Sequence, residues 1–399
     1  MRPRSARMRR GIVNALEDRG DLTLETLDST EGFAALGAAG WDDLVQAMPR
    51  PSPFLLHGWL LAWWRHEGHG AELAVHVARR GERLVGAVPF CVRRRFGIRV
   101  TGFLGGVHSA LADMLVAEGE PSETVTALAA RAAATKHDLA DLFGLSAGSR
   151  LARSLAPRLR TIQRVEAPVL DLSPGWDAVY RAKTDAKKRN LHKRRRRQLS
   201  ELGALDVIRA RTPDELDTAI VEAFRLHEAR WSGRPDGSGF ATATGRRFNL
   251  EALRALAAHD IPRIVLLRLD GRAIAFHYFL VYQQTMYTYR LAFDPEFARF
   301  SPGLVNTLDA LEWAAAEGVN RVEYLGGDER YKVELSDRLE PLAQGLGLAR
   351  TPKGWAFVVL RLGMIVTRRR LKRSPALRRF YVEALAPARR LLTRAQRPG

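Results

Sequence analysis

Cysteine is nearly absent from the sequence, since Cys91 is the only one among 399 residues. A single cysteine excludes a disulfide framework and fits a reducing compartment. Long apolar runs are also missing: the most apolar late stretch, 355–366, is too short to span a bilayer and contains Arg361. Five arginines among the first ten residues are not followed by the apolar run of a secretory signal. We therefore expect a soluble cytoplasmic protein.

Acidic residues are outnumbered by basic ones, and the basic excess is concentrated in three segments. The chain holds 63 Lys and Arg against 44 Asp and Glu, a net charge of +19. Residues 1–10, 181–197 and 361–397 carry +5, +9 and +11, which leaves −6 for the rest of the chain. Basic ends of this kind are usually solvated and attract polyanions weakly. The main body is thus mildly acidic, and the internal basic segment requires its own explanation.

One strand pattern occurs twice along the chain, each time as a meander. Its copies lie at 72–80, 82–93 and 98–105, and at 262–269, 272–282 and 285–293. Helical patterns accompany them at 53–67, at 122–138, and from Ser173-Pro174 to Leu202. Because 399 residues exceed what one core usually serves, we predict two similar α/β (α+β) units. Each would be a mostly antiparallel mixed sheet flanked by helices. The predicted divisions are a flexible basic start at 1–20, domains at 21–170 and 171–355, and a helical basic tail at 356–399.

The third strand of the second copy, TMYTYRLAF, leads into a helix that begins at Ser301-Pro302-Gly303. Ser301 fits the N-cap, Pro302 fits the first helical position, and Gly303 leaves the backbone bare. A helix N-terminus presents unpaired N–H groups and the positive end of a dipole, which suit a pyrophosphate, and Arg299 lies beside it. An ordinary capped helix gives the same pattern, so both interpretations stay open.

A second cluster follows at the end of the next strand, in EYLGGDERYK at 323–332. Its acids Glu323 and Asp328, together with Tyr331, have the chemistry of proton transfer in a cleft, although an exposed turn would look similar. Cys91 lies in an apolar strand and is expected in the core. We predict no metal site, because His66 and His69 have no third ligand nearby.

Together these segments resemble the BioF2-like acetyltransferase domain of CelD/BcsL-type proteins, which are bacterial GNAT relatives with a FemABX-like double fold. The resemblance covers about 183–332 and rests on five segments. They are KTDAKKRNLHKRRRRQLSELG from Lys183, FRLHEARW at 224–231, DGRAIAF at 270–276, AFDPEFARFSPG at 292–303, and EYLGGDERYK at 323–332. Glu323 stands where the family usually has Asp. The resemblance implies tandem GNAT-like domains, with the acyl-donor site in the second.

In function, the resemblance implies direct transfer of an acyl group, expected to be acetyl, from acetyl-CoA or another acyl-CoA to an amine or hydroxyl. Backbone N–H groups between Tyr289 and Ala292 would polarise the thioester carbonyl. Asp328 or Glu323 would take the acceptor's proton, and Tyr331 would protonate the departing thiolate. The residues expected to bind the donor are Leu291, Arg299, Phe300, Ser301 and Gly303. No metal and no covalent enzyme intermediate are needed.

The acceptor is expected to be a small molecule or saccharide in exopolysaccharide or cell-envelope biosynthesis. Its predicted contacts are Lys183, Lys187, Arg189, His227, Arg230 and Lys332. For His227, orienting the acceptor, acting as a base and a purely structural role all stay open. The basic ends are expected to contact an anionic membrane surface, at the inner face, or a polysaccharide synthase.

Two other functions are compatible with the same residues. A FemABX-like transferase would take its donor from aminoacyl-tRNA and act on an envelope precursor, and the basic segment 181–197 would suit RNA phosphates. The coiled-coil hairpin of such enzymes has no room in this chain. A non-catalytic partner of a polysaccharide synthase is the second alternative, against which the two retained motifs argue. No sequence-specific nucleic acid is expected, because helix-turn-helix and zinc patterns are missing.

Overall fold

The computed structural model describes residues 21–146, 148–231, 239–327 and 329–373. Its strands are β1 (Leu22–Leu27), β2 (Ala71–Arg80), β3 (Arg83–Arg95), β4 (Ile98–Phe103), β5 (Leu115–Val116), β6 (Leu139–Ser146), β7 (Leu159–Asp171), β8 (Leu205–Ala210), β9 (Pro262–Leu269), β10 (Arg272–Tyr282), β11 (Thr285–Phe293), β12 (Arg321–Glu323) and β13 (Arg338–Gly347). Its α-helices are α1 (Thr30–Ala35), α2 (Ala39–Gln46), α3 (His57–Glu67), α4 (Ser122–Ala133), α5 (Arg150–Leu155), α6 (Trp176–Lys183), α7 (Ala186–Ser200), α8 (Pro213–Trp231), α9 (Ala243–Ala257), α10 (Pro302–Ala316), α11 (Arg330–Glu334) and α12 (Pro352–Arg373). Short 3-10 helices occur at Pro53–Leu55, Gly106–His108 and Pro295–Phe300.

The strands form one sheet in the order β1-β2-β3-β4-β6-β13-β7-β12-β11-β10-β9-β8, with β5 paired to β3. Each half contributes four antiparallel strands followed by a parallel partner, β6 beside β4 and β12 beside β11. Asp270 and Gly271 join β9 to β10 with φ of 49° and 78°, the left-handed conformation of a two-residue hairpin turn. The predicted α/β class and its repeated meander are confirmed.

The two halves exchange strands at the centre of the sheet. β7 precedes the second half in sequence but pairs with β12, at Val169 to Asp171. β13 follows the second half but pairs with β6 of the first, and also runs beside β7. The expected boundary near residue 170 therefore falls at the end of a strand that belongs to the sheet of both halves.

The largest apolar cluster also spans both halves. Trp59 of α3 is fully buried and contacts the rings of Phe248 on α9 and Tyr289 on β11, each at 5.1 Å between centroids. Helices α3 and α9 approach closely because Gly58 has no side chain: a methyl group there would lie 2.9 Å from the Ala255 Cβ. Truncating a buried tryptophan of this kind costs about 3–5 kcal/mol.

Several predicted helices differ in the structure. The expected helix from Ser173 to Leu202 is two helices, α6 and α7, because the Asp185 carboxylate accepts the Lys188 N–H at 2.6 Å and caps a new start. The expected helix 122–138 ends at Ala133. The predicted helical tail is present as α12 up to Arg373, and its remainder lies outside the described residues. Among the described helices none is both long enough and apolar enough to cross a bilayer.

Candidate functional site

The main cleft of the second half opens where two parallel strands separate. β11 and β12 are paired from Thr285 opposite Arg321 to Tyr287 opposite Glu323, and then diverge. Beyond that point a cleft of about 670 Å³ lies between residues 288–293 and 324–326. The other walls come from the end of α8, from 107–110 of the first half, and from β6 and β13. Both halves of the protein therefore contribute residues to the lining of this cleft.

A β-bulge reshapes β11 at the mouth of the cleft. On β10, Tyr278 lies opposite Arg290 and the next residue, Phe279, lies opposite Thr288, so Tyr289 is an extra residue. Bulges interrupt the ladder and redirect side chains, and they are frequent beside active sites. Here the Tyr289 ring packs in the core shared by the two halves, and both Tyr289 and Arg290 line the cleft.

Arg290 is a cation without a carboxylate partner among the described residues. Its Nη1 donates to the Tyr289 carbonyl at 2.8 Å, and its guanidinium carbon lies 4.1 Å from the Tyr289 ring centroid. Its Nε is buried and has no hydrogen-bond partner. A buried donor left unsatisfied costs about 1–3 kcal/mol, so this guanidinium is prepared for an acceptor that the described residues do not supply.

Two buried histidines face this charge. Burial, and secondly the charge of Arg290, lowers the pKa of His108 to about 3 and that of His227 to about 4. His108 belongs to the first half and its Nδ1 lies 3.2 Å from the Tyr289 hydroxyl. Both imidazoles are therefore neutral at pH 7, the form in which a histidine can accept a proton.

Tyrosine hydroxyls add further polar groups to the cleft. Tyr324 is buried, and its hydroxyl has no hydrogen-bond partner. Burial raises the pKa of Tyr324 and also that of Tyr331, so both phenols keep their protons at neutral pH. Both line the cleft, where they are able to donate hydrogen bonds to a ligand.

The start of α10 packs against Phe293, a cleft residue, although Arg299, Phe300, Ser301 and Gly303 themselves do not line the cleft. A Cβ at Gly303 would come within 2.9 Å of the Phe293 ring, so the bare backbone lets the strand end approach the helix. The Arg299 guanidinium lies 4.6 Å from the Phe300 ring, and Arg195 of α7 donates to the Arg299 carbonyl. Two guanidinium groups and a helix N-terminus thus create a positive potential suited to an anion.

The comparisons with known proteins agree with this architecture. Residues 186–333 match the model of an acetyltransferase (GNAT) domain. The fold is similar to FemX, with a TM-score of 0.55 and 12% identity, over 81% of this chain and 96% of FemX. The chain has a double GNAT fold.

Two other structures are similar in fold to this chain at similarly low identity. A conserved protein of unknown function from Bacteroides thetaiotaomicron has a TM-score of 0.52 at 15% identity, over 82% of this chain and 100% of that one. The C-terminal domain of a putative lysylphosphatidylglycerol synthetase from Agrobacterium fabrum has a TM-score of 0.51 at 11% identity, over 84% of this chain and 97% of that domain. No curated protein matches the sequence.

The cleft of the second GNAT unit brings together only part of the residues expected from the sequence. The predicted residues that line it are Leu291, His227, Arg230, Tyr331 and Lys332. Lys332 pairs with Glu329, also a lining residue, at 2.9 Å. Asp328, predicted as a base, lies outside the described residues.

Glu323 is placed differently from the expectation. It lies on β12 where the strands are still paired, is 2% exposed, and does not line the cleft. Its Oε1 accepts from Arg50 at 2.9 Å and from Arg321 at 2.6 Å. This carboxylate, held between a guanidinium from each half, links the two halves of the double GNAT fold.

The predicted capping role of Ser301 is wrong. Ser301 occupies the N-cap position with φ of 56° and ψ of 49°, and its side chain makes no capping hydrogen bond. It adopts this left-handed conformation because the preceding 3-10 helix ends on the same residue, whose N–H donates to the Ala298 carbonyl at 3.1 Å. Pro302 does occupy the first helical position, as predicted.

The predicted acceptor cations of the basic segment lie away from the cleft. Lys183 forms an ion pair with Asp337 and donates to the Ser336 carbonyl at 2.8 Å. Arg189 donates to the Thr184 carbonyl, and Lys187 is exposed. None of the three lines the cleft of the GNAT unit.

Proposed function

We propose that the chain transfers an acyl group from acyl-CoA to the amine or hydroxyl of an anionic acceptor, in bacterial cell-envelope or exopolysaccharide biosynthesis. The observation that carries this is the position of the cleft: it begins where β11 and β12 separate, beside the bulge at Tyr289, and extends to Phe293, whose ring packs against Gly303 near the start of α10. A donor with a reactive thioester at one end and a pyrophosphate at the other fits such an arrangement.

The donor's phosphates are assigned to the start of α10. Gly303 lets Phe293 at the end of β11 pack against the helix start, and Arg299 with Arg195 supplies positive charge beside the helix N-terminus. The thioester then lies along residues 289–292, whose backbone N–H groups next to the bulge stabilise the oxyanion of the tetrahedral intermediate. The protein thus offers positive groups to the pyrophosphate at one end of the donor and N–H donors to the oxyanion at the other.

The chemistry at the reacting end needs a proton acceptor and a proton donor. The acceptor's nitrogen or oxygen attacks the thioester carbon, the carbon–sulfur bond breaks, and the thiolate leaves. Neutral His227 takes the proton of the nucleophile, and the protonated Tyr331 hydroxyl returns one to the thiolate. A pKa of about 4 makes free His227 a weak base, but an anion on Arg290 cancels the charge that helps to depress it.

The acceptor's negative charge is assigned to Arg290. This guanidinium has no carboxylate partner in the described chain, and its buried Nε lacks an acceptor. A carboxylate or phosphate satisfies both requirements in one contact, because the guanidinium fork binds such groups in two-point fashion. Acceptor binding and activation of His227 are then coupled.

Donor binding and acceptor preference are tested separately. Calorimetric titration with acetyl-CoA and longer acyl-CoA esters measures the donor, and turnover is compared for anionic amines and their neutral amide or ester analogues. Arg290→Gln should raise the KM of an anionic acceptor at least tenfold, about 1.4 kcal/mol, and leave the donor Kd unchanged. Arg254→Gln is the matched control, since Arg254 is exposed and paired with Asp217. Absence of acyl-CoA binding would refute the donor assignment; equal use of neutral acceptors would refute only the role of Arg290.

A charged tRNA is the second candidate donor, favoured by one observation. The outer surface of α7 carries exposed cations, among them Lys187, Lys193 and Arg194, that the described chain does not use in ion pairs. Such a row suits a phosphate backbone. A thermal-shift comparison of acyl-CoA with aminoacyl-tRNA separates the candidates: a shift produced by charged tRNA and not by acyl-CoA would favour this alternative.

A further inference from the structure

Helix α12 presents an unusual outer surface. Five of its large apolar side chains are between 47% and 65% exposed: Trp355, Val359, Leu360, Met364 and Val366. Elsewhere in the described chain, large exposed apolar residues are scattered singly. Contiguous exposed apolar surface of this kind marks an interaction site in most proteins.

The position of α12 is fixed by its opposite side. Val358 is buried, and Phe357, Leu362 and Ile365 pack with it against Leu139, Ile162 and Leu346 of the sheet. Gly354 allows the helix start to approach β6, since a Cβ there would lie 2.1 Å from the Asp138 carbonyl oxygen. The apolar surface is therefore held outward by a packed inner face.

Positive charge accompanies this surface in the sequence. The sequence of α12 (Pro352–Arg373) contains seven Lys and Arg and no Asp or Glu, most of them in its last six residues. A helix with an outward apolar face joined to a strongly basic segment has the composition of elements that lie in the headgroup region of anionic membranes. A protein partner would need a large acidic and apolar surface to satisfy both features.

The helix packs on the same side of the sheet as the cleft. Along β6, Leu139 contacts α12, while Phe143, an even number of residues later, lines the cleft and so points to the same face. The two residues are separated by about 13 Å along the strand. A surface that binds α12 therefore lies near the mouth of the cleft.

We propose that the outer face of α12 binds the surface of an anionic lipid bilayer, with Trp355, Val359 and Leu360 inserted among the headgroups and the cations of the same helix attracted by lipid charge. The proposal concerns where the protein acts, and it does not depend on the identity of the donor or acceptor.

Vesicle sedimentation of the full chain tests this directly. Binding is expected to phosphatidylcholine vesicles containing about 30% phosphatidylglycerol at about 0.1 M salt, weaker at about 0.5 M salt, and at least tenfold weaker to phosphatidylcholine alone. The double variant Val359→Ser, Leu360→Ser should lose at least tenfold in partition to the anionic vesicles. The matched control is Val221→Ser with Leu202→Ser, two apolar residues exposed at 60% and 45% outside α12.

Other outcomes overturn the proposal. Failure to bind anionic vesicles, or equal binding by the α12 variant and the control, would mean that lipid does not cover this face. A dimer in light scattering that becomes a monomer in the α12 variant, without vesicle binding, would assign the face to a second copy of the chain. Thermal midpoints of both double variants establish that a loss of binding does not reflect unfolding.

Discussion

Replacing Glu323 by glutamine decides between a structural and a catalytic carboxylate. In the structure its Oε1 accepts from Arg50 Nη2 at 2.9 Å and from Arg321 Nε and Nη2 at 2.9 and 2.6 Å. Arg50 comes from the first half of the chain and Arg321 from β12. Glutamine keeps the shape and one acceptor oxygen but removes the charge, so the substitution isolates the electrostatic part of the contact.

The expected loss of stability depends on the acidic partner, Glu340, that Arg50 and Arg321 retain in the variant. Breaking an isolated buried ion pair costs about 3–5 kcal/mol, because a charge is left uncompensated. Here the Arg50 and Arg321 side chains are each 29% exposed. Both keep an ion pair with Glu340, at 2.8 Å from Arg50 and 3.1 Å from Arg321. We therefore expect Glu323→Gln to cost less than that limit, about 2 kcal/mol, from weakened charged hydrogen bonds. For a protein of this size the thermal midpoint should fall by about 2 °C.

The assay combines urea unfolding with steady-state turnover. Glu323→Gln should lower the unfolding free energy while turnover at saturating substrate stays within about twofold, since removing a true general base lowers turnover by about a hundredfold or more. Glu340→Gln is the matched control, because Glu340 contacts the same guanidiniums from a more exposed position. Unchanged stability with a hundredfold loss of turnover would refute the structural assignment and restore Glu323 as the base.

Three further outcomes are expected. Gly303→Val should raise the acyl-CoA Kd at least tenfold, about 1.4 kcal/mol, because the new side chain meets Phe293 at the start of α10; titration calorimetry measures it, and parental affinity in a folded variant would place the donor elsewhere. Lys183→Gln should cost up to about 1 kcal/mol of stability through its ion pair with Asp337, whereas Lys187→Gln should cost nothing, and neither should alter the acceptor KM. Burial lowers the pKa of His277 to about 3, so its neutral form is favoured on folding, and stability is lost as pH falls below the unfolded value of 6.5. Urea unfolding at pH 7 and 5 should show about 2 kcal/mol less acid destabilisation in His277→Phe than in the parent, and an equal pH dependence would contradict this reasoning.

The repeated meander was predictable because its signals are local. Alternation of apolar residues and the Asp270-Gly271 turn specify each hairpin without reference to the rest of the chain. The break between α6 and α7 was missed because the basic segment has too few apolar residues to show where a helix changes direction. Asp185, a capping residue three positions before Lys188, was the available signal.

The candidate site was predictable where its residues belong to recognisable motifs of the second half. Leu291, Tyr331 and Lys332, together with His227 and Arg230 of the segment FRLHEARW, do line the cleft. Arg290 was overlooked although a charged residue in the middle of the strand TMYTYRLAF was a visible anomaly. His108 had no such signal, since it enters the cleft from the first half, 181 residues before Tyr289, and only the packing of the halves brings them together.

The strand exchange explains why neither half of this protein suffices for a site. The segment 186–333, which matches the GNAT domain, contains β11 and β12 but neither β7 nor β13. Without β7 the outer edge of β12 has no partner, and a three-residue strand paired on one side alone holds few hydrogen bonds. The divergence of β11 from β12, which creates the cleft, requires β12 to be held away from β11 by β7 and β13. β7 precedes the matched segment and β13 follows it, so strands on both sides of that segment set the geometry of the second unit. The first half therefore contributes the frame of the cleft as well as His108, and changes in either half are expected to alter the same site.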